Sequence, residues 1–133
     1  MTEIINFLRE NKFGNLATCV GNNPDIRPME LVFHSEKGFF FYTSTGEDVE
    51  RQLKDNPTLC FASTDKNYNY VKISGPVQFS VDEHDKQMIL DKSTFAKHVF
   101  KELNLNKMVV FYVPHGKAMM HIHGNNKPNS YEF

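Results

Sequence analysis

Five consecutive residues, Phe39-Phe-Phe-Tyr-Thr43, put a bulky apolar side chain at nearly every position between the turn residues Ser35-Glu-Lys-Gly38 and the polar stretch Ser44-Thr-Gly46. Alternate side chains of an extended strand leave opposite faces, so this run is apolar on both. Such a strand is stable only where both faces are covered. The chain must therefore be built around a central strand in a sheet that carries other elements on each side.

The flanking sequence supplies those elements. Ile4, Ile5 and Leu8 recur with helical period behind Thr2, a candidate cap, and the helix is expected to stop near Asn11. Leu16 to Val20 and Ile26 to His34 read as an antiparallel hairpin around Gly21-Asn-Asn-Pro-Asp25. After Thr43 a short helix carries Val49 and Leu53 on one face and ends at Pro57. Thr58 to Ser63 is a strand, and Tyr70 to Val81 is a strand region bent at Gly75-Pro76. Asp82 can cap a helix over 82 to about 104, with Met88, Ile89, Phe95, Val99, Phe100 and Leu103 as its apolar positions. Met108 to Val113 and Lys117 to His123 are read as a last hairpin around Pro114-His-Gly116. Six or seven strands without a strand–helix–strand rhythm predict an antiparallel barrel with peripheral helices, in one domain over 1–133.

Composition narrows the functional classes. Fifteen Lys and Arg against sixteen Asp and Glu give a net charge of −1, which excludes a surplus of cations for neutralising phosphates of duplex nucleic acid. The longest apolar run, Met108 to Val113, is far short of the roughly 18 residues that span a bilayer, and the amino terminus lacks the pattern of a secretory signal. A cytoplasmic protein without membrane contact is expected. Cys19 and Cys60 lie in strand-like segments and are read as buried free thiols.

Three groups of residues carry chemical interest. Arg27 shares a strand face with Met29, Leu31 and Phe33, where a cation requires either an anionic ligand, a carboxylate partner such as Glu30 of a neighbouring subunit, or escape to water. Pro28 beside it removes a ladder donor and opens the backbone to a ligand. Tyr42-Thr-Ser-Thr-Gly46 leads from the central strand into a helix, where free amides and hydroxyls suit a phosphate, or where Ser44 or Thr45 simply caps the helix. Glu47 and Asp48 in the first turn repel an anion. His121 and His123, two apart on a strand, share a face, with His115 just before; they are either solvent-facing imidazoles or ligands of haem, and no metal site is assigned to them.

Taken together, Leu16-Ala-Thr18, Asp25-Ile-Arg-Pro-Met29, Phe41-Tyr-Thr-Ser44, Asp48-Val-Glu-Arg-Gln-Leu-Lys-Asp-Asn-Pro57 and Val71-Lys-Ile-Ser-Gly75 resemble the pyridoxamine 5′-phosphate oxidase-like, flavin-binding split-barrel family, in order and over nearly the whole chain. The resemblance implies a six-stranded antiparallel split barrel that dimerises with two FMN molecules in clefts between subunits. By position, Arg27 matches the phosphate-contacting arginine, and Pro28 and Met29 follow along the strand bordering the isoalloxazine ring. Tyr42, Thr43 and Ser44 match the strand end at the ring and ribityl chain, and Gln52 matches a glutamine near the flavin. The full oxidases carry a basic pair where this chain has Asp48 and Val49, which leaves Arg51 as the nearby cation able to turn toward the phosphate. The longer C-terminal region that holds vitamin B6 in those oxidases is missing, so His121 and His123 in the closing strand are the remaining residues able to approach the cofactor or a substrate. The expected activity is that of an FMN-dependent oxidoreductase or electron carrier with a small-molecule substrate or electron donor. A haem-binding split-barrel protein using C-terminal histidines and a cofactor-free dimeric binding module are the alternatives. Twelve Phe in so small a barrel further predict aromatic surface buried between two subunits.

Overall fold

The phenylalanine run forms β3 (Gly38–Ser44), flanked by β2 (Asn23–Ser35) on one side and β7 (Met108–Val113) on the other, in a computed structural model that describes residues 1–100 and 105–133. Its alternation sorts the core into two layers. Phe39 and Phe41 point into the barrel, where they meet Leu16 of β1 (Phe13–Val20), Phe61 of β4 (Thr58–Thr64), Ile73 of β5 (Tyr70–Pro76) and Phe111 of β7. Phe40 and Tyr42 point outward and are covered by Ile89 of α3 (Glu83–Lys92), Ala96 of α4 (Thr94–Val99) and Phe100. The barrel interior is further packed by Ile4, Phe7 and Leu8 of α1 (Thr2–Glu10), and by Val49 and Leu53 of α2 (Asp48–Asp55).

The described residues form nine strands in one antiparallel curled sheet, in the order β6-β7-β3-β2-β1-β4-β5-β8-β9, rather than the expected six. Two of the additional strands are short: β6 (Gln78–Phe79) lies against β7, and β9 (Asn129–Glu132) lies against β8 (Lys117–His121). The expected hairpin of β7 with β8 does not form, because β7 pairs with β3 and β6 while β8 pairs with β5 and β9. The Pro114-His-Gly116 link instead crosses from one half of the sheet to the other. Gly75 makes that crossing possible, since a Cβ there would stand 2.5 Å from the carbonyl oxygen of His115.

Several local expectations are corrected by the structure. Met1, not Thr2, occupies the cap of α1, and β1 begins three residues earlier than Leu16. The helix expected over 82 to 104 is two helices, because Ser93 adopts extended backbone and caps α4 with its hydroxyl; Leu103 lies outside the described residues. Asp82 does cap α3, accepting from the amide of His84. A bulge between Leu31 and Phe33 turns Phe33 to the outer layer, where it stacks on Phe40 at 4.5 Å, so Phe33 does not share the face of Arg27. Cys19 is exposed rather than buried, and Cys60 is half-buried; both are free thiols. Seven of the Phe side chains are buried within this one chain and only Phe13 and Phe95 are largely exposed, so most of the aromatic surplus serves the core. No helix among the described residues is long and apolar enough to cross a membrane.

Candidate functional site

The sheet splits between β2 and β3. Their pairing runs from Ser35↔Gly38 to Leu31↔Phe41 and ends there, while β2 continues against β1 from Glu30 back to Asn23. The amino-terminal half of β2 thus has a free edge toward the departing end of β3. Pro28 sits on this stretch, where its missing N–H costs no ladder bond on the open side. The space between the two strands is a cleft of about 570 Å³. The start of α2 closes one end, and Phe95 and Val99 of α4 form a wall.

Seven of the residues singled out from the sequence line this cleft: Arg27, Pro28, Met29, Tyr42, Thr43, Ser44 and Val49. Gln52 stands behind it, on the buried face of α2. The Arg27 guanidinium donates to the Thr18 hydroxyl at 2.8 Å, to Gln52 Oε1 at 2.8 Å, to Asp25 Oδ2 at 3.0 Å and to the Leu16 carbonyl at 3.2 Å. Gln52 Nε2 in turn donates to Asp25 Oδ2 at 2.9 Å, and the Thr18 hydroxyl donates to Gln52 Oε1. The carboxylate partner that an arginine in this row requires is thus Asp25, two residues away on the same strand, reinforced by Gln52 across from α2. Sequence spacing pointed to neither the Thr18 nor the Gln52 contact, because both reach Arg27 only through the sheet register and the docking of α2.

The hydrogen bond from Gln52, the Ile26 amide and the positive charge of Arg27 together hold the Asp25 carboxyl below its ordinary value of 3.8. A depressed carboxyl contributes stability that is present above its unfolded-state value and is lost as pH falls through its folded value. Acidification is therefore expected to loosen β2 from α2 as pH falls through that depressed value. An NMR titration that follows the Gln52 and Arg27 side-chain N–H signals checks this; signals that do not change as the Asp25 carboxyl is protonated would contradict it.

The helix start is acidic. Glu47 caps α2 with no side-chain bond, in place of Ser44 or Thr45, and the Gly46 amide is taken by Glu50 Oε1 at 2.9 Å. Arg51 lies outside the cleft and pairs with Asp48 at 2.8 Å. Its charge is engaged by a carboxylate that lines the cleft. His121 and His123 are also outside the cleft of this chain. His121 ends β8 with its ring stacked on Tyr70 at 5.1 Å, whereas His123 lies beyond the strand near Tyr68, so the two do not share a strand face. His115, before β8, is at its opposite end.

The structure adds contacts that the sequence did not mark. Glu30 is buried at the inner end of the cleft, where its Oε1 accepts from the Ser93 hydroxyl at 2.6 Å. Tyr42 donates to the same oxygen at 3.4 Å, and burial pushes its phenol up to about 12, so it stays protonated at neutral pH. Phe13, Ile26, Phe95 and Val99 give the mouth an apolar rim.

A curled antiparallel sheet split beside its central strand, with a ligand-sized cleft in the split, defines a small split-barrel protein. The family model described as pyridoxamine 5′-phosphate oxidase matches residues 1–124, and the chain belongs to that family. Among solved structures it is similar to a NimC/NimA family protein from Clostridium acetobutylicum, with a TM-score of 0.85 at 19% identity, covering 100% of this chain and 92% of that one. It is also similar to a heme binding protein from Mycobacterium smegmatis, with a TM-score of 0.79 at 14% identity over 98% of this chain and 56% of that one. An FAD-binding protein from Mesorhizobium loti follows at a TM-score of 0.70 and 15% identity, over 88% of this chain and 90% of that one. These likenesses show the fold. A search of curated proteins returned no match.

Proposed function

We propose that the chain is a homodimeric FMN-dependent oxidoreductase or electron carrier acting on a small molecule, with the cleft between β2 and β3 as the flavin seat. The observation that carries this reading is the cleft: space of about 570 Å³ with apolar walls at Met29, Ile26 and Phe95 and a polar end at Thr43 and Ser44, in a chain of this family. A flat ring system with one hydrogen-bonding edge needs apolar faces and a few fixed polar groups. The flavin supplies the hydride or electron transfer, and the protein supplies its position and surroundings. Dimerisation is supported by the exposed rim of Phe13, Ile26, Phe95 and Val99, which a second copy would cover.

The residues fit the ring and ribityl chain better than the phosphate. Among the described residues the Asp48 and Val49 amides have no backbone acceptor, and both residues line the cleft at the positive end of the helix dipole. The carboxylates of Glu47 and Asp48 oppose them, and the charge of Arg27 is already matched by Asp25. Weak retention of FMN follows. Replacing Glu47 by lysine is expected to strengthen FMN binding about tenfold at low salt, roughly 1–2 kcal/mol, while leaving riboflavin affinity unchanged. Titration by flavin fluorescence at two salt concentrations checks this, and an equal gain for both ligands would contradict it.

The reading as a whole is tested by the visible spectrum of the purified protein and by thermal stabilisation with excess FMN. No flavin absorbance together with no stabilisation removes it and leaves the cofactor-free binding module. A haem site made by His115, His121 and His123 together is not favoured, because the first two stand at opposite ends of β8 and the Nδ1 of His121 is sealed from solvent.

A further inference from the structure

Glu30 is 6% exposed, yet it lines the cleft. Its Oε1 is fixed by two hydroxyl donors, Ser93 and Tyr42, and Ser93 is itself fixed by accepting the Ala96 amide as the cap of α4. Among the described residues no ion pair involves Glu30, and its Oε2 accepts no hydrogen bond. Among those residues the one fully sealed side-chain polar atom without a partner is His121 Nδ1, so Glu30 Oε2 keeps access to the cleft. A carboxylate taken out of water without a counter-charge is strongly unfavourable unless something pairs with it. The fold nevertheless holds this one with one oxygen bonded by two hydroxyls and the other, among the described residues, without a partner and not fully sealed.

The rest of the cleft points the same way. Its charged lining is Asp25, Glu30, Glu47 and Asp48 against Arg27 alone; Arg27 pairs with Asp25, and Asp48 pairs with Arg51 beside the cleft, which leaves Glu30 and Glu47 without an ion pair among the described residues. The unmatched charges are all negative, and a concave site of one sign concentrates ions of the other.

We propose that Glu30 Oε2 is the seat for a protonated amine, or a similar cationic N–H donor, on a small substrate bound in the cleft. The proposal deepens the flavin reading by naming the substrate class, and rests on it for the word substrate only. Ser93 and Tyr42 act as positioning residues that aim the carboxylate. The amine would donate to Oε2 and gain the pairing that the protein withholds.

The test uses the full chain with and without FMN, and three probes that share one ring: benzylamine as cation, benzyl alcohol as neutral analogue and benzoate as anion. Calorimetry is expected to show benzylamine binding at least about tenfold tighter than benzyl alcohol, with benzoate weakest. Glu30→Gln keeps an Oε1 acceptor for Ser93 and Tyr42, and is expected to abolish that preference. Glu47→Gln is expected to keep most of it. Amide shift mapping of the unaltered protein gives a readout independent of the variant's folding: benzylamine should perturb Glu30, Tyr42 and Ser93 more than Glu47 and Asp48. No amine preference, a preference that survives Glu30→Gln, or shifts centred on Glu47 would each overturn the proposal. So would a tenfold loss of FMN affinity in Glu30→Gln without an amine preference, which makes Glu30 a flavin contact. Failure of FMN to bind while the amine preference persists sinks the flavin reading alone.

Discussion

Replacing Arg27 by methionine is expected to lower the unfolding free energy by about 2–3 kcal/mol and to weaken FMN binding at least about tenfold. Methionine preserves much of the side chain's apolar length, so the loss is that of the guanidinium. Its side chain is only 19% exposed and it spends its donors on Thr18, Gln52, Asp25 and the Leu16 carbonyl. Removing it leaves Asp25 and Gln52 facing each other without the cation that made their arrangement favourable. Lysine is expected to recover little, because one ammonium cannot serve acceptors on β1, β2 and α2 at once. Urea unfolding measures the first effect and flavin titration the second. Asp25→Asn combined with Arg27→Met should show a coupling of at least about 1 kcal/mol; strictly additive losses would mean that the network does not act as a unit.

The second large effect is expected in the core. Phe41 is fully buried, stacked on Phe111 with centroids 5.4 Å apart and met edge-on by Phe61 at 5.3 Å. Phe41→Ala is expected to cost about 3–5 kcal/mol, from lost transfer free energy plus the cavity left among rings that cannot close over it. Phe41→Leu, which keeps most of the volume, should cost clearly less. Equilibrium unfolding decides between them, and a loss below about 1 kcal/mol for alanine would show that the barrel collapses onto the vacancy. Phe41 also ends the pairing of β3 with β2, so the same residue that fills the barrel stands at the point where the cleft opens.

These two residues show what kind of information was local. That Phe39 to Thr43 is a central strand follows from its pattern alone, since a strand apolar on both faces has nowhere else to go. Arg27 was recognisable as a cation on an apolar row, and Pro28 as a break in a ladder, from spacing within one strand. The partners were not. Gln52 is 25 residues from Arg27 and Ser93 is 63 from Glu30, and each meets its neighbour only because a helix docks on the sheet. The same limit explains the misread hairpin: Met108 to Val113 and Lys117 to His121 are adjacent, strand-like and separated by a turn. Short-range signals cannot tell that β3 and β5 offer each of them a better edge. The bulge after Leu31 was equally hidden, because one extra residue reverses the facing of Phe33 without changing composition.

The sequence by itself therefore determined the class of fold, the central strand and the stretches of β2, β3 and α2 that border the cleft. It did so because alternation, proline and turn residues act over a few positions. The tertiary structure alone decided which charges in that cleft are spent and which are not. Arg27 is matched by Asp25 and, among the described residues, Glu30 is left with one oxygen unpartnered, since pairing between side chains depends on distances that only the packed helices and the register of the sheet set.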